Sequence, residues 1–171
     1  GGLMIFKEET SFKWDERYLQ LAKQISTWSK DPSTKVGAIA VGGKGQVLSQ
    51  GYNGFPRGIA DNWRYENKEE KYRYVVHAEM NCIYNATFHG VSLQGATIYV
   101  YGLPMCNECA KAIIQVGVKR VVSPFNKSEQ VPEKWKVSCE HTQDLLNEVE
   151  IPYQFIKMKE TLPSQFPNIR S

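Results

Sequence analysis

The chain has 171 residues, of which 42% are hydrophobic and 12% are aromatic, and it carries a formal net charge of +3. This length suits one domain with a sizeable core and is short for two. The mild positive charge suits an anionic ligand and falls short of the basic surface typical of nucleic-acid binders. We therefore expect a single domain without a nucleic-acid partner.

The spacing of the cysteines and the hydropathy of the chain indicate the cellular compartment of the protein. Four cysteines do not form the spacing of a disulfide framework, and no apolar run approaches the length of a membrane span or a signal peptide. We expect a cytoplasmic protein with no membrane partner. Residues 1–3, which precede Met4, are typical of a tag remnant; the domain is predicted over residues 4–158, followed by a loosely ordered tail over 159–171.

The first half of the chain predicts a helix, a hairpin and a long loop. Apolar residues recur at helical spacing over 14–29, and Asp31-Pro32 ends the pattern. Two short runs, 36–41 and 47–51, flank a glycine-rich turn and favour a hairpin. Residues 54–74 are polar and aromatic, and a loop of that length in a small domain is usually functional.

The second half alternates between helix and strand patterns. Predicted helices cover 77–89, 106–116 and 142–149, and predicted strands cover 97–101, 120–123 and 153–156. Strands joined by crossover helices place the starts of neighbouring helices at one edge of a sheet. His77 should therefore approach Cys106 and Cys109.

These three residues have the chemistry of an open zinc site. One imidazole and two thiolates leave a fourth tetrahedral position for water, and Glu79, two residues from His77, can move that water's protons. A C-x-x-C pair alone could instead be half of a structural zinc site, a redox pair or two buried thiols. The upstream His-Ala-Glu favours a hydrolytic site with one zinc per chain.

The chain resembles the cytidine deaminase fold and, within it, the deoxycytidylate (dCMP) deaminases. The resemblance covers about residues 14–123 and is strongest over 35–38, 51–56, 66–68, 74–81, 106–111 and 113–115. It implies a three-layer α/β/α fold whose central five-stranded mixed sheet carries helices on both faces. It also implies zinc-dependent hydrolysis of dCMP to dUMP and ammonia. Alternatives within the resemblance are cytidine, dCTP or C5-modified dCMP as substrate, or a polynucleotide or tRNA.

Specific roles follow from the same resemblance. It implies that Glu79 transfers protons, that the backbone N–H of Ala78 holds the pyrimidine carbonyl, and that Asn53 contacts the deoxyribose 3′-hydroxyl. Candidates for the 5′-phosphate or for an effector nucleotide lie in the Gly-Tyr-Asn-Gly stretch over 51–54, called the glycine segment, or in the long loop 54–74; they are Gly51, Tyr52, Gly54, Arg57, Lys68, Lys71 and Arg73. For the cations among them, an ordinary solvated surface is an equally good interpretation.

The resemblance extends to regulation and assembly. It implies a homo-oligomer, a hexamer in many relatives, that is activated by dCTP with Mg²⁺ and inhibited by dTTP.

The sequence departs from the family at Pro104-Met105-Cys106, where one residue separates the proline from the first ligand thiol. The spacing of the ligands is kept, so this departure affects the shape of the loop rather than metal binding.

Overall fold

In the computed structural model, the described residues (12–61, 63–124 and 133–159) form five strands and five α-helices. The strands are β1 (Gly37–Val41), β2 (Val47–Tyr52), β3 (Thr97–Tyr101), β4 (Arg120–Pro124) and β5 (Tyr153–Ile156). The helices are α1 (Lys13–Ser26), α2 (Lys68–Tyr74), α3 (Ala78–Phe88), α4 (Asn107–Gln115) and α5 (Glu133–Glu148), with a 3₁₀ turn at Trp63–Glu66. The predicted tag remnant and all of the predicted tail except Lys159 lie outside the described residues.

The strands form one mixed sheet in the order β2-β1-β3-β4-β5. Strand β1 is antiparallel to both of its neighbours, while β3, β4 and β5 run parallel to one another. The parallel pairs need crossover connections, which α4 and α5 supply. The five-stranded mixed sheet predicted from the sequence is confirmed.

Each face of the sheet buries its own apolar cluster. Ile39 and Tyr99 point to one face and pack with α1. Ala38 and Ile98 point to the other face, where they join apolar residues of α3, α4 and α5. This alternation follows from the two-residue period of a strand. Helices on both faces confirm the predicted three-layer architecture.

A buried ionic contact fixes α1 to the sheet. Both terminal guanidinium nitrogens of Arg120 donate to the carboxylate of Asp15, at 2.8 and 2.6 Å, and the hydroxyl of Tyr99 donates to the same carboxylate at 2.5 Å. Asp15 is only 8% exposed, so these bonds replace the water that burial removes from its charge. The contact joins the start of α1 to β3 and β4.

Three predicted boundaries were wrong. The last helix begins at Glu133, not at residue 142, and helix α2 together with the 3₁₀ turn occupies much of the predicted loop 54–74. Helix α1 ends at Ser26, three residues early, because the N–H groups of Thr27 and Trp28 bond to carbonyls three residues back and tighten the last turn. Among the described residues, no helix combines the length and apolar character needed to cross a bilayer.

Candidate metal centre

The two metal motifs stand at the starts of neighbouring helices. His77 is the N-cap residue of α3 and Cys106 is the N-cap residue of α4, which follows β3 through the loop 102–106. Cys109 lies in the first turn of α4. The positive ends of the two helix dipoles therefore converge on one point, where they favour thiolate over thiol.

The distances in this cluster fit a tetrahedral metal. The Nδ1 atom of His77 is 3.4 Å from the Sγ of Cys106 and 3.4 Å from the Sγ of Cys109. Tetrahedral zinc, with bonds of about 2.0 Å to nitrogen and 2.3 Å to sulfur, separates those ligand atoms by about 3.5 Å. The three residues can thus hold a zinc ion with little movement and leave a fourth position open.

The two thiols differ in acidity. The pKa of Cys106 is lowered to about 4, because its sulfur accepts hydrogen bonds from the Cys109 thiol, from His77 and from the Cys109 backbone N–H. The pKa of Cys109 is raised, since its thiol proton is shared with the Cys106 thiolate and the group is buried. A divalent cation held here would displace that shared proton, and both sulfurs would then be thiolates.

Glu79 lies beside the cluster and is almost completely buried. Its exposed fraction is 4%, and burial raises the pKa of its carboxyl to about 7. A carboxyl whose pKa lies near neutrality can both accept and return a proton. Glu79 is the second residue of α3, and it lines the same cavity as His77 and Cys106.

The cavity has a volume of about 270 Å³ and opens beside the metal cluster. Its floor is formed by His77, Ala78, Glu79 and Cys106. The remaining wall residues come from the loop before β1, the end of β2, helix α2, the loop after β3 and the start of α5; they are Asp31, Ser33, Thr34, Val36, Asn53, Lys68, Lys71, Tyr72, Val75, Leu103, Pro104, Lys134 and Trp135. The space suits a flat heterocycle with a polar substituent.

Asn53 lies on this wall and is already held by backbone bonds. Its Oδ1 accepts from the N–H of Val36 at 2.9 Å, and its Nδ2 donates to the carbonyl of Thr34 at 2.9 Å. Asn53 is 6% exposed. The side chain therefore fixes the loop before β1, while one amide hydrogen and one oxygen lone pair stay available to the cavity.

The four predicted cationic residues divide into two groups. Lys68 and Lys71 line the cavity, whereas Arg57 and Arg73 do not. Arg57 donates to Oδ1 of Asn85 at 2.7 Å, and Arg73 pairs with Glu70 at 3.0 Å on the same helix. The structure thus brings two of the four cations to the site.

Lys71 carries a charge that is already neutralised. Its Nζ lies 2.8 Å from Oδ2 of Asp31 and 3.1 Å from the hydroxyl of Ser33. Asp31 is 1% exposed, and although burial alone raises the pKa of a carboxyl, hydrogen bonds from Lys71, Ser33 and Thr34 hold the pKa of Asp31 below its ordinary value. This pair joins α2 to the loop before β1 and shapes the cavity wall.

Sequence reasoning missed the contribution of α5. Lys134 donates to the hydroxyl of Tyr72 at 2.8 Å and lies 5.2 Å from the ring centre of Trp135. Tyr72 and Trp135 meet edge to face across the gap between α2 and α5, with ring centres 6.5 Å apart. The Lys-Trp pair was visible in the sequence, but only the early start of α5 brings it to the cavity.

Three residues of the glycine segment, Gly51, Tyr52 and Gly54, do not line the cavity, whereas Asn53 between them does. Gly51 packs against the backbone of α3, and Tyr52 is 40% exposed. The N–H of Gly54 donates to the carbonyl of Val76 at 3.1 Å, and the N–H of Val76 donates to the carbonyl of Gly54 at 2.7 Å. Val76 directly precedes His77. Any ligand that orders this segment would therefore act on the backbone beside a metal ligand.

Within the described ranges, His77, Cys106 and Cys109 are the one group of three or more potential ligands close enough to share a metal. Cys82 is completely buried in the apolar core, and burial raises the pKa of its thiol to about 12. Met105 is also completely buried, so the apolar wall near the thiols is formed by Leu103 and Pro104 instead.

Comparisons with known proteins agree with this geometry. The family model of the cytidine and deoxycytidylate deaminase zinc-binding region matches residues 12–124. The chain is 42% identical to deoxycytidylate deaminase of Mus musculus over 127 residues, covering 71% of this chain and 70% of that protein. It is 39% identical to a probable deoxycytidylate deaminase of Caenorhabditis elegans over 150 residues, covering 85% and 71% of the two chains.

The fold has a counterpart among solved structures. The crystal structure of dCMP deaminase from the cyanophage S-TIM5, in complex with dCMP and dUMP, superimposes with a TM-score of 0.67. The match covers 88% of this chain and 99% of that one, at 24% sequence identity. At that identity the likeness concerns the fold.

Proposed function

The chain belongs to the cytidine and deoxycytidylate deaminase family, and on that premise we propose that it hydrolyses dCMP to dUMP and ammonia. The observation that carries the proposal is the His77–Cys106–Cys109 cluster with Glu79 beside it, at the floor of a cavity. Relatives named as deoxycytidylate deaminases support the choice of substrate. The two free thiols that the site requires suit a reducing compartment, and we place the activity in the cytoplasm.

One zinc ion per chain would be held by Nδ1 of His77 and by the sulfurs of Cys106 and Cys109. When bound, zinc supplies the Lewis-acid activation of water that hydrolysis of a C–N bond requires.

Glu79 transfers the protons. As the water oxygen bonds to C4 of the cytosine, Glu79 takes one water proton and delivers it to N3. It then carries the second proton to the amino nitrogen, the C4–N bond breaks, and ammonia leaves uracil behind. A buried carboxyl with a pKa near neutrality suits this repeated exchange, because neither protonation state is strongly favoured.

Ala78 and Asn53 would hold the substrate. The N–H of Ala78 stands in the first turn of α3, where it has no carbonyl acceptor within the helix, and Ala78 lines the cavity. We assign it to the pyrimidine carbonyl. The remaining amide hydrogen and lone pair of Asn53 suit the 3′-hydroxyl of the deoxyribose, which both donates and accepts.

We assign the 5′-phosphate to Lys68 and Lys134. Both are exposed and line the cavity mouth, and none of the ion pairs among the described residues includes either lysine. Lys71 also lines the cavity, but Asp31 neutralises its charge. A phosphate monoester at this mouth would gain two charge-assisted contacts.

We further propose a homo-oligomer, a hexamer by family likeness, that dCTP with Mg²⁺ activates and dTTP inhibits. The exposed rings of Trp28 and Tyr52 meet edge to face beside the glycine segment, and such a surface suits burial against a second copy. Sedimentation analysis and dCMP saturation curves test this. A monomer with hyperbolic kinetics that dCTP and dTTP leave unchanged would refute both assembly and regulation.

The activity itself is tested by ammonia release from cytidine, deoxycytidine, dCMP, dCTP, 5-methyl-dCMP and a short single-stranded DNA, with zinc content measured on the same protein. We expect about one zinc per chain and the highest kcat/KM for dCMP. A metal-free protein, or equal rates on deoxycytidine and dCMP, would refute the proposal. Faster turnover of the DNA would move the assignment to polynucleotides.

A further inference from the structure

The loop that carries Cys106 turns its extra residue into the core. Met105 is 0% exposed, and both of its backbone polar groups bond to side chains rather than to the cavity. Its N–H donates to the hydroxyl of Tyr153 at 3.1 Å, and its carbonyl accepts from the hydroxyl of Thr142 at 2.9 Å. The residue immediately before the ligand thiol is therefore fixed at two points.

The residue immediately after the thiol is fixed as well. The N–H of Asn107 donates to the hydroxyl of Ser138 at 3.1 Å, and that hydroxyl donates to Oδ1 of Asn107 at 2.8 Å. Asn107 is the first residue of α4, so its N–H has no partner within the helix. Ser138 supplies that partner from α5.

Two of these three hydroxyl residues are almost completely buried. Thr142 is 1% exposed and Tyr153 is 2% exposed, and the Tyr153 hydroxyl also lies 3.2 Å from that of Ser123. Ser138 and Thr142 stand one helical turn apart on α5, so one face of that helix contacts both sides of Cys106. All three lie beyond residue 124, where the match to the family model ends.

The placement of a thiolate depends on the backbone that carries it. A metal ligand must lie within a few tenths of an ångström of its ideal position, and the groups that orient a ligand typically change metal affinity about 10- to 100-fold when removed. Met105 and Asn107 carry the backbone on either side of Cys106. Their bonds to side chains of α5 and β5 restrict the backbone at this ligand.

We propose that Ser138, Thr142 and Tyr153 are positioning residues that hold Cys106 where it can bind zinc. They touch neither the metal ligands' sulfur atoms nor the cavity, and they act through the backbone of Met105 and Asn107. The proposal rests on the proposed zinc site and extends it to α5 and β5.

The test measures zinc release from the purified protein to a coloured chelator in excess. Thr142→Val keeps the shape of the side chain and removes its hydroxyl, and we expect zinc release at least about tenfold faster than in the unmodified protein. Thr142→Ser restores the hydroxyl and should release zinc at nearly the original rate. Ser138→Ala, at a half-buried position, should also accelerate release.

Ser26→Ala is the matched control. It removes a buried hydroxyl that donates to the carbonyl of Lys23 at 2.6 Å on the opposite face of the sheet, so it tests whether any lost buried hydrogen bond speeds release. We expect zinc release to be unchanged. Where Thr142→Val does not fold, Ser138→Ala and Tyr153→Phe decide the question.

Each outcome separates this inference from the function on which it rests. Unmodified protein that holds no zinc refutes the metal site itself. A zinc-loaded protein whose Ser138→Ala, Thr142→Val and Tyr153→Phe variants release zinc at the original rate refutes the positioning role and leaves the metal site standing. Equal acceleration by Ser26→Ala would also refute it, because the effect would then be one of general stability.

Discussion

Gly51 of β2 lies directly against the backbone of Ala78, at the start of the helix that carries Glu79. A Cβ atom at position 51 would stand 2.6 Å from the Ala78 carbonyl oxygen and 2.3 Å from the backbone nitrogen of Cys82. Both distances are too short for any side chain. The absence of a side chain at Gly51 therefore sets how closely α3 approaches the sheet and, with it, where His77 and Glu79 lie.

Gly51→Ala should move α3 outward. We expect a loss of about 1–3 kcal/mol in the free energy of unfolding, typical of an overfilled core, together with weaker zinc binding, because His77 shifts relative to Cys106. Urea unfolding and zinc stoichiometry measure the two effects. Gly43→Ala, at a turn with no atom within 4 Å of the new carbon, is the control and should change neither.

Glu79→Gln should separate metal binding from catalysis. The amide keeps the size of the side chain but cannot exchange protons, so we expect kcat to fall by about 10² to 10⁴ while the zinc content stays near one per chain. Metal analysis and ammonia release on the same preparation check both. Turnover close to that of the unmodified enzyme would show that another group moves the protons. Cys82→Ala, on the same helix, should keep metal and activity.

The Asp31–Lys71 pair predicts a change of stability in acid. Breaking a buried pair by Asp31→Asn should cost about 3–5 kcal/mol near neutral pH, because Lys71 is left charged and buried. The pKa of Asp31 is lower in the folded than in the unfolded protein. Its contribution is therefore complete above the unfolded value of about 3.9 and is lost as the pH falls through the folded value.

Urea unfolding at a series of pH values tests this. The difference between the unmodified protein and Asp31→Asn should be constant from neutral pH down to about pH 5 and should shrink below about pH 4. Asp61→Asn, which removes an exposed pair with Lys30 at 2.7 Å, is the control. Its unfolding should stay close to that of the unmodified protein throughout. A difference that grows in acid would contradict the assignment.

Lys134→Gln and Lys68→Gln should weaken the recognition of phosphate alone. Loss of a charge-assisted contact should lower kcat/KM for dCMP by about 10- to 100-fold and leave kcat/KM for deoxycytidine unchanged. Arg73→Gln and Arg57→Gln, which remove cations outside the cavity, are the matched controls. An equal loss in Arg73→Gln would show that long-range charge, rather than contact, attracts the substrate.

The sheet and the convergence of the two metal motifs could be predicted from the sequence. Short apolar runs mark strands that are buried on both faces, and Gly90 and Gly117, both at positive φ, end the pattern of the helices before them. Alternation of helix and strand then fixes which ends meet. His77 and Cys106 are close because of that connectivity.

Helices α2 and α5 were mispredicted for different physical reasons. The start of α2 had a local signal, since Asn67 caps the helix by accepting from the N–H groups of Glu69 and Glu70. The first half of α5 has no apolar stripe, because the two buried residues of the helix, Thr142 and Leu146, both lie in its second half. Polar side-chain bonds to the Cys106 loop hold it, and such partners cannot be identified from periodicity.

Strand β1 lies between one partner that is near in sequence and one that is distant, and this difference orders the folding of the chain. Its hairpin with β2 closes through a short turn, whereas its pairing with β3 must wait until the chain through α2 and α3 has been gathered. Distant pairings form slowly. Because His77 and Cys106 stand on opposite sides of β3 in the sequence, the zinc ligands assemble only after that slow step. A zinc ion held by these ligands would therefore bind after the sheet has closed and would oppose its reopening.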